Sequence, residues 1–136
     1  MAKYTGGCAC GAVRFETDAD PIMAGHCQCS KCQTLSAAGH STFAAFPAAA
    51  VKVTGTLVAW SYTADSGNTA TRNHCPVCGT QVTGGTSGMK DIVALNLTTM
   101  DDPSGIMPGM VFFHAKAQPW DVLDATLPTF PGMPPM

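Results

Sequence analysis

Apolar and polar residues alternate over Val13-Arg14-Phe15-Glu16-Thr17, the period of two expected of a strand with one face in a core. Short apolar runs bounded by Gly, Pro, Asp and Asn predict further strands over Ile22 to Gly25, Ser41 to Phe46, Val51 to Val53 and Leu57 to Tyr62. Thr69 to His74 reads as extended, Ile92 to Leu97 as the most apolar strand, and Val111 to His114 as the last one. Asp18 to Pro21, Thr54-Gly55-Thr56 and Asp65 to Asn68 have the composition of turns, and Gly84 to Gly88 that of a flexible loop. One helical turn fits Gln33 to Ala38, with Gly39 to stop it. No repeat interrupts this series of short strands, so the fold class predicted is mainly β. Val58, Trp60 and Tyr62 fall on one face of their strand, where packing against the core is the expected role.

At 136 residues the chain suits a single domain over 1–136, with a proline-rich tail at 127–136. Pro128, Pro131, Pro134 and Pro135 keep that tail from continuing a helix or donating to a sheet, so it is either disordered or laid across the surface as a strap. Hydrophobic residues make up 46% of the chain and charged residues 12%, the balance of a compact folded protein. The formal net charge is −2, and the seven Lys+Arg are scattered singly, which argues against nucleic acid as a partner. No run reaches the ~18 apolar residues of a membrane helix, and the first residues lack a secretion signal. A cytoplasmic location is therefore expected. There thiols stay reduced, and seven cysteines, an odd number, read as metal ligands rather than disulfides.

Their spacing sharpens that reading. Cys27-x-Cys29-x-x-Cys32 puts three thiols in six residues, near enough to aim at one point. Structural zinc takes four protein ligands as a rule, whereas catalytic zinc takes three and keeps a position for water or substrate. Three cysteines without a fourth nearby thus suggest an open site, unless His26 or another histidine closes the shell and leaves only a staple. Cys75-Pro76-Val77-Cys78-Gly79 is a zinc-knuckle pattern that supplies two ligands and needs two more. Cys8-x-Cys10, flanked by Gly6-Gly7 and Gly11, can complete it, which divides the seven as four and three; spacing alone also permits Cys8 and Cys10 to join the cluster at Cys27. Among His26, His40, His74 and His114, the first and third adjoin candidate ligands and are placed to contact them. The eight methionines read as gap-filling residues.

With these motifs in order, the chain resembles the glutathione-dependent formaldehyde-activating enzyme family, the S-(hydroxymethyl)glutathione synthases. The likeness rests on Gly7-Cys8-x-Cys10-Gly11, the cluster at Cys27, Cys29 and Cys32, and Arg72-x-x-Cys75-Pro-x-Cys78-Gly79. It extends to Asp101-Asp102-Pro103, Pro119-Trp120 and Leu-Pro-x-Phe-x-Gly-Met-Pro-Pro at Leu127 to Pro135. The resemblance implies several coiled β-sheets, similar to those of methionine-R-sulfoxide reductases. It implies two zinc ions, one structural on Cys8, Cys10, Cys75 and Cys78, the other catalytic on Cys27, Cys29 and Cys32. The activity implied is that of a carbon–sulfur lyase acting on a small thiol, glutathione among the candidates, and an aldehyde such as formaldehyde. This chain departs from the glutathione-using members at Gln33, where they carry an aromatic residue. The other reading is a zinc-stapled binding module without catalysis.

Overall fold

The computed structural model describes residues 2–133, folded as two β-sheets. The smaller has three antiparallel strands in the order β1-β2-β5, formed by Tyr4–Gly7, Arg14–Thr17 and Val51–Thr54. Its middle strand alternates as expected, with Phe15 and Thr17 buried and Arg14 and Glu16 exposed. The first strand was not predicted, because Gly6 and Gly7 have low strand propensity. They are there for clearance. A Cβ on Gly6 would lie 2.4 Å from the Thr99 carbonyl oxygen and 2.5 Å from the Phe15 ring. Only a bare backbone lets the sheet close on its core here.

The larger sheet has seven strands in the order β10-β3-β4-β9-β8-β7-β6. These are β3 Met23–Cys27, β4 Ser41–Pro47, β6 Val58–Thr63, β7 Thr69–His74, β8 Gln81–Thr86, β9 Ile92–Asn96 and β10 Val111–Phe112. Every neighbouring pair is antiparallel except β10 on β3. Two expectations are corrected in this sheet. Gly84 and Gly85 do not belong to a flexible loop but to β8, where Gly84 pairs with Arg72 on one side and Ala94 on the other. Thr54-Gly55-Thr56 is a bend rather than a tight turn, and it carries the chain from one sheet to the other, since β5 pairs with β2 and β6 with β7. Gly55 has φ +94° and faces the Ala12 carbonyl, so glycine is required twice over.

The main core gathers Val13, Phe15, Ala44, Phe46, Val82, Leu95, Leu97 and Met100, with Cys8 and Cys75 at its margin. A second, smaller cluster forms around Phe112 with Cys27 and Cys32, packed by Phe43, Met110, Phe113 and Phe130. Phe112 lies 5.6 Å from Phe43 and 6.3 Å from Phe130 between ring centroids. Burying a side chain of this size contributes about 1.5–3 kcal/mol. Phe130 belongs to the tail, which up to residue 133 takes the strap arrangement. It also donates to a strand: the Phe130 amide bonds to the Val111 carbonyl, and Val111 donates to Pro128. Prolines at 128 and 131 flank that donor without occupying it. Residues 134–136 of the expected tail lie outside the described residues. Among the described residues no helix is long and apolar enough to cross a membrane.

Candidate metal centres and the surface beside them

Cys8 and Cys10 follow β1, and Cys75 and Cys78 follow β7, so the first cluster of thiols joins the two sheets. All four sulfurs lie within 4.8 Å of one another, with Cys8 to Cys10 at 3.6 Å and Cys10 to Cys75 at 3.7 Å. A tetrahedral zinc with Zn–S bonds near 2.3 Å separates its sulfurs by about 3.8 Å, so the set fits that ion. The turns are built for it. Gly11 and Gly79 take positive φ, at +83° and +78°, and the amides of Val13 and Val77 point at Cys8 Sγ (3.2 Å) and Cys75 Sγ (3.4 Å). Hydrogen bonds from Thr80, side chain first and then backbone, push the Cys78 thiol down to about 5. The Ala12 amide pulls the Cys10 thiol down, but its three sulfur neighbours, Cys8 foremost, outweigh it and push the thiol up to about 11.

The second cluster begins where β3 ends. Cys27 is the last residue of that strand, and Cys29 caps helix α1, Ser30–Ser36, through its sulfur, which accepts from the Cys32 amide at 3.3 Å. Cys32 sits in the first turn of that helix and is buried. The helix is thus longer than predicted and starts three residues earlier, because a cysteine takes the capping role usually held by Ser, Thr, Asp or Asn. It ends at Ala37 in the left-handed conformation, φ 54°, rather than at Gly39. Gly39 has another reason to be glycine: a Cβ there would lie 2.3 Å from Asp121 Cγ.

The three sulfurs of Cys27, Cys29 and Cys32 lie within 4.8 Å of one another, a spacing a single metal ion can span. Among the described residues no His, Cys, Asp or Glu joins them. His26 does not close the shell; its Nδ1 pairs with Thr42 Oγ1 at 2.8 Å, and its ring meets His40 edge-on at 4.9 Å. Hydrogen bonds from Cys27 and Cys29, and the charge of Arg72, bring the Cys32 thiol down to about 2, whereas bonding to Cys29 and Cys32 drives the Cys27 thiol up.

Behind the loop is a polar chain that the sequence did not reveal. Gln28, buried between the two first cysteines, donates to Asp121 Oδ2 at 2.9 Å and meets His114 Nδ1 through Oε1 at 2.9 Å. Asp121 in turn holds His40 Nδ1 at 2.9 Å. Burial works to raise the Asp121 carboxyl, but Gln28 and His40 outweigh it and keep it below the usual range. Gln33, one residue past Cys32, donates to the carbonyls of Gln28 and Lys116.

On the open side stands Arg72. Its Nη2 is 3.5 Å from Cys32 Sγ and 3.1 Å from the Tyr62 hydroxyl oxygen. Burial opposes its charge, but the Cys32 thiolate and Tyr62 outweigh that and hold its pKa above the ordinary value. The expectation that Val58, Trp60 and Tyr62 pack in the core is overturned: Val58 is 41% and Trp60 44% exposed, with Tyr62 half-buried. Their strand β6 is the edge of the seven-stranded sheet, and pattern alone does not say that nothing covers its outward face. Trp60 and Tyr62 lie 5.0 Å apart, and Lys31 of α1 reaches over both, its Nζ 5.6 Å and 5.3 Å from their centroids.

A crystal structure of a Rhodobacter sphaeroides protein superposes with a TM-score of 0.60 at 18% identity, covering 93% of this chain and 99% of the other, which shows a shared fold. No curated protein matches the chain. The family profile described as "Glutathione-dependent formaldehyde-activating enzyme" matches residues 3–116, spanning both cysteine clusters and the strand that carries Arg72. On that match the chain belongs to the glutathione-dependent formaldehyde-activating enzyme family.

Proposed function

We propose that the protein is a zinc-dependent carbon–sulfur lyase that joins a small thiol to an aldehyde such as formaldehyde, and catalyses the reverse cleavage. The observation that carries this reading is the three-sulfur cluster at Cys27, Cys29 and Cys32, which no fourth side chain completes among the described residues. A zinc ion held there would carry one net negative charge with its three thiolates, suiting it to a soft thiol as fourth ligand and making it a poor activator of water. In the reaction the thiol sulfur forms a bond to the carbonyl carbon, the C=O π pair moves to oxygen, and the thiol's proton ends on that oxygen as an S-hydroxymethyl adduct. A free thiol near pKa 8.5 is mostly protonated at neutral pH, so favouring its thiolate form is where rate is gained.

The chain's own residues support that chemistry. Arg72 supplies a fixed positive charge 3.5 Å from Cys32, offsetting the negative charge the cluster and an incoming thiolate bring together. Cys29 ties its sulfur to the helix backbone, and Gln28 ties the loop between Cys27 and Cys29 to Asp121, which helps to hold the cluster's shape. The Phe112, Phe43 and Phe130 cluster closes the site from below and excludes water on that side. In this reading Cys8, Cys10, Cys75 and Cys78 hold a second zinc that binds the sheets together and makes no contact with substrate.

The test is adduct formation between formaldehyde and thiol, followed by proton NMR exchange with the zinc-loaded protein. Acceleration that disappears in Cys29→Ser, with the four-cysteine zinc still in place, supports the reading. Equal rates with and without the zinc-loaded protein overturn it.

A further inference from the structure

Adding a thiol to a carbonyl leaves negative charge on the oxygen, and a proton donor placed at that oxygen lowers the barrier. The usual donors are committed elsewhere among the described residues. His26 pairs with Thr42, His40 with Asp121 and His114 with Gln28. His74 ends β7 beside Cys75 of the other cluster, Ser41 spends its hydroxyl on Cys32, and no Asp or Glu joins the three sulfurs. Tyr62 of β6 differs. Its oxygen accepts from Arg72 Nη2 at 3.1 Å, and that same nitrogen stands 3.5 Å from Cys32 Sγ. A single nitrogen atom therefore lies between the phenol and the cluster. Arginine can only donate, so the phenol keeps its own proton, which no protein acceptor takes among the described residues. The ring is also set between two cations. Lys31 Nζ lies 5.3 Å from its centroid and the Arg72 guanidinium carbon 6.0 Å, with Trp60 stacked at 5.0 Å. Both charges offset the negative charge a phenol carries once it has donated.

We propose that Tyr62 is a catalytic residue of the thiol addition: its hydroxyl protonates the aldehyde oxygen, and in the reverse cleavage its phenolate takes that proton back. The thiol first gives its proton to solvent. Its sulfur pair then forms the bond to the carbonyl carbon, the C=O π pair moves to oxygen, and that oxygen takes the Tyr62 proton. The phenolate left behind recovers a proton from solvent, so on balance the thiol's proton has reached the oxygen by way of water and Tyr62. An S–C–O unit is short, so an oxygen on the carbon under attack lies on the Tyr62 side of the cluster. This rests on the thiol reading above and adds to it the group that moves the proton.

The experiment uses 2-mercaptoethanol and formaldehyde with zinc-loaded wild type and Tyr62→Phe, which removes the hydroxyl and keeps the ring beside Trp60 and under Lys31. Metal per chain, Kd for the thiol by titration calorimetry, and rates in both directions by exchange NMR in H2O and D2O are measured. Tyr62→Phe is expected to keep both zinc ions and the wild-type Kd. Its kcat should fall about a hundredfold, the lower end of general acid–base catalysis, and equally for addition and cleavage. The solvent isotope effect on kcat should shrink with it, a readout that a merely structural role does not move. Lys31→Met, which removes only an offsetting charge, should lower kcat by about twofold to fivefold. A wild-type rate in Tyr62→Phe overturns this inference and leaves the thiol reading standing. So does a Tyr62→Phe variant that loses zinc or thiol affinity in step with kcat, since the hydroxyl then only braces Arg72. If the wild type carrying both zinc ions accelerates neither direction, the thiol reading falls, and this inference with it.

Discussion

The Arg72 guanidinium lies 3.5 Å from the Cys32 sulfur, and its charge helps hold that thiol below the usual range. Arg72 is on β7, next to the edge strand β6, and Cys32 is on the helix, so the contact ties the helix to the sheet. A hydrogen bond to a charged group is worth about 1.5–3 kcal/mol. Arg72→Met is therefore expected to lower kcat/KM for thiol addition by about tenfold or more. Arg72→Lys should recover only part, since the shorter lysine stem does not carry its ammonium to the place where Nη2 meets both the Tyr62 hydroxyl and the Cys32 sulfur. Steady-state kinetics on zinc-loaded variants, with metal content counted, checks both.

The two clusters should answer differently to loss of a thiol. Cys78→Ser opens the set that joins the sheets, and metal binding of that kind contributes on the order of 10 kcal/mol to folding in small zinc peptides. The variant is expected to unfold, or to melt far below the wild type. Cys29→Ser should keep the fold and hold one zinc fewer per chain. Metal counting beside a thermal melt separates the outcomes, and a folded, active Cys78→Ser would overturn the structural assignment.

Gly39→Ala places a methyl group where Asp121 sits, 2.3 Å from its Cγ. Either the carboxylate moves and releases Gln28 and His40, or the strand entry shifts. Overpacking of this kind costs about 1–3 kcal/mol. Denaturant unfolding should show the loss, and affinity for a metal at Cys27, Cys29 and Cys32 should weaken with it because Gln28 sits between Cys27 and Cys29.

The Arg14–Asp101 pair predicts an acid dependence. Arg14, and behind it Thr5, holds the Asp101 carboxyl down at about 2, below the usual 3.8. A carboxylate whose folded-state pKa is depressed adds stability above its unfolded pKa and gives it up as pH falls through the folded value. The stability difference between wild type and Asp101→Asn should thus be constant above about pH 5 and vanish as pH falls from about 4 to 2. Both side chains are about half exposed, so the difference is expected to be small and to decrease with salt. Parallel urea unfolding curves across that range measure it.

What the sequence disclosed follows the reach of each interaction. Alternation over Val13 to Thr17 was legible because one face of that strand meets the core, and Cys27, Cys29 and Cys32 are near in space because they are near in sequence. Proximity of Cys10 to Cys75, 65 positions apart, depends on how two sheets meet, which no local pattern carries. The glycines of β1 and β8 misled because propensity disfavours glycine in strands; in β1 a close backbone approach requires it, whereas in β8 a Cβ on Gly85 would meet nothing nearer than 3.8 Å. Val58, Trp60 and Tyr62 alternated correctly, yet the alternation gives no sign of whether a neighbouring layer covers them. Gln28 and Asp121 meet across 93 positions, and their only sequence signals were a glutamine between two cysteines and an acid after Pro119-Trp120.

Strand β7 carries Arg72 and hands the chain, after Asn73 and His74, directly to Cys75. The guanidinium that meets Cys32 of the three-cysteine cluster is therefore mounted on the same short rod as the clasp between the sheets. Slackening at that clasp travels one turn of pleat before it reaches Arg72, with a bulge at Asn73/His74 as the intervening joint. Stripping a metal from that clasp should consequently lower activity and melting temperature together, so a sluggish preparation is diagnosed by counting metal beside its melting curve.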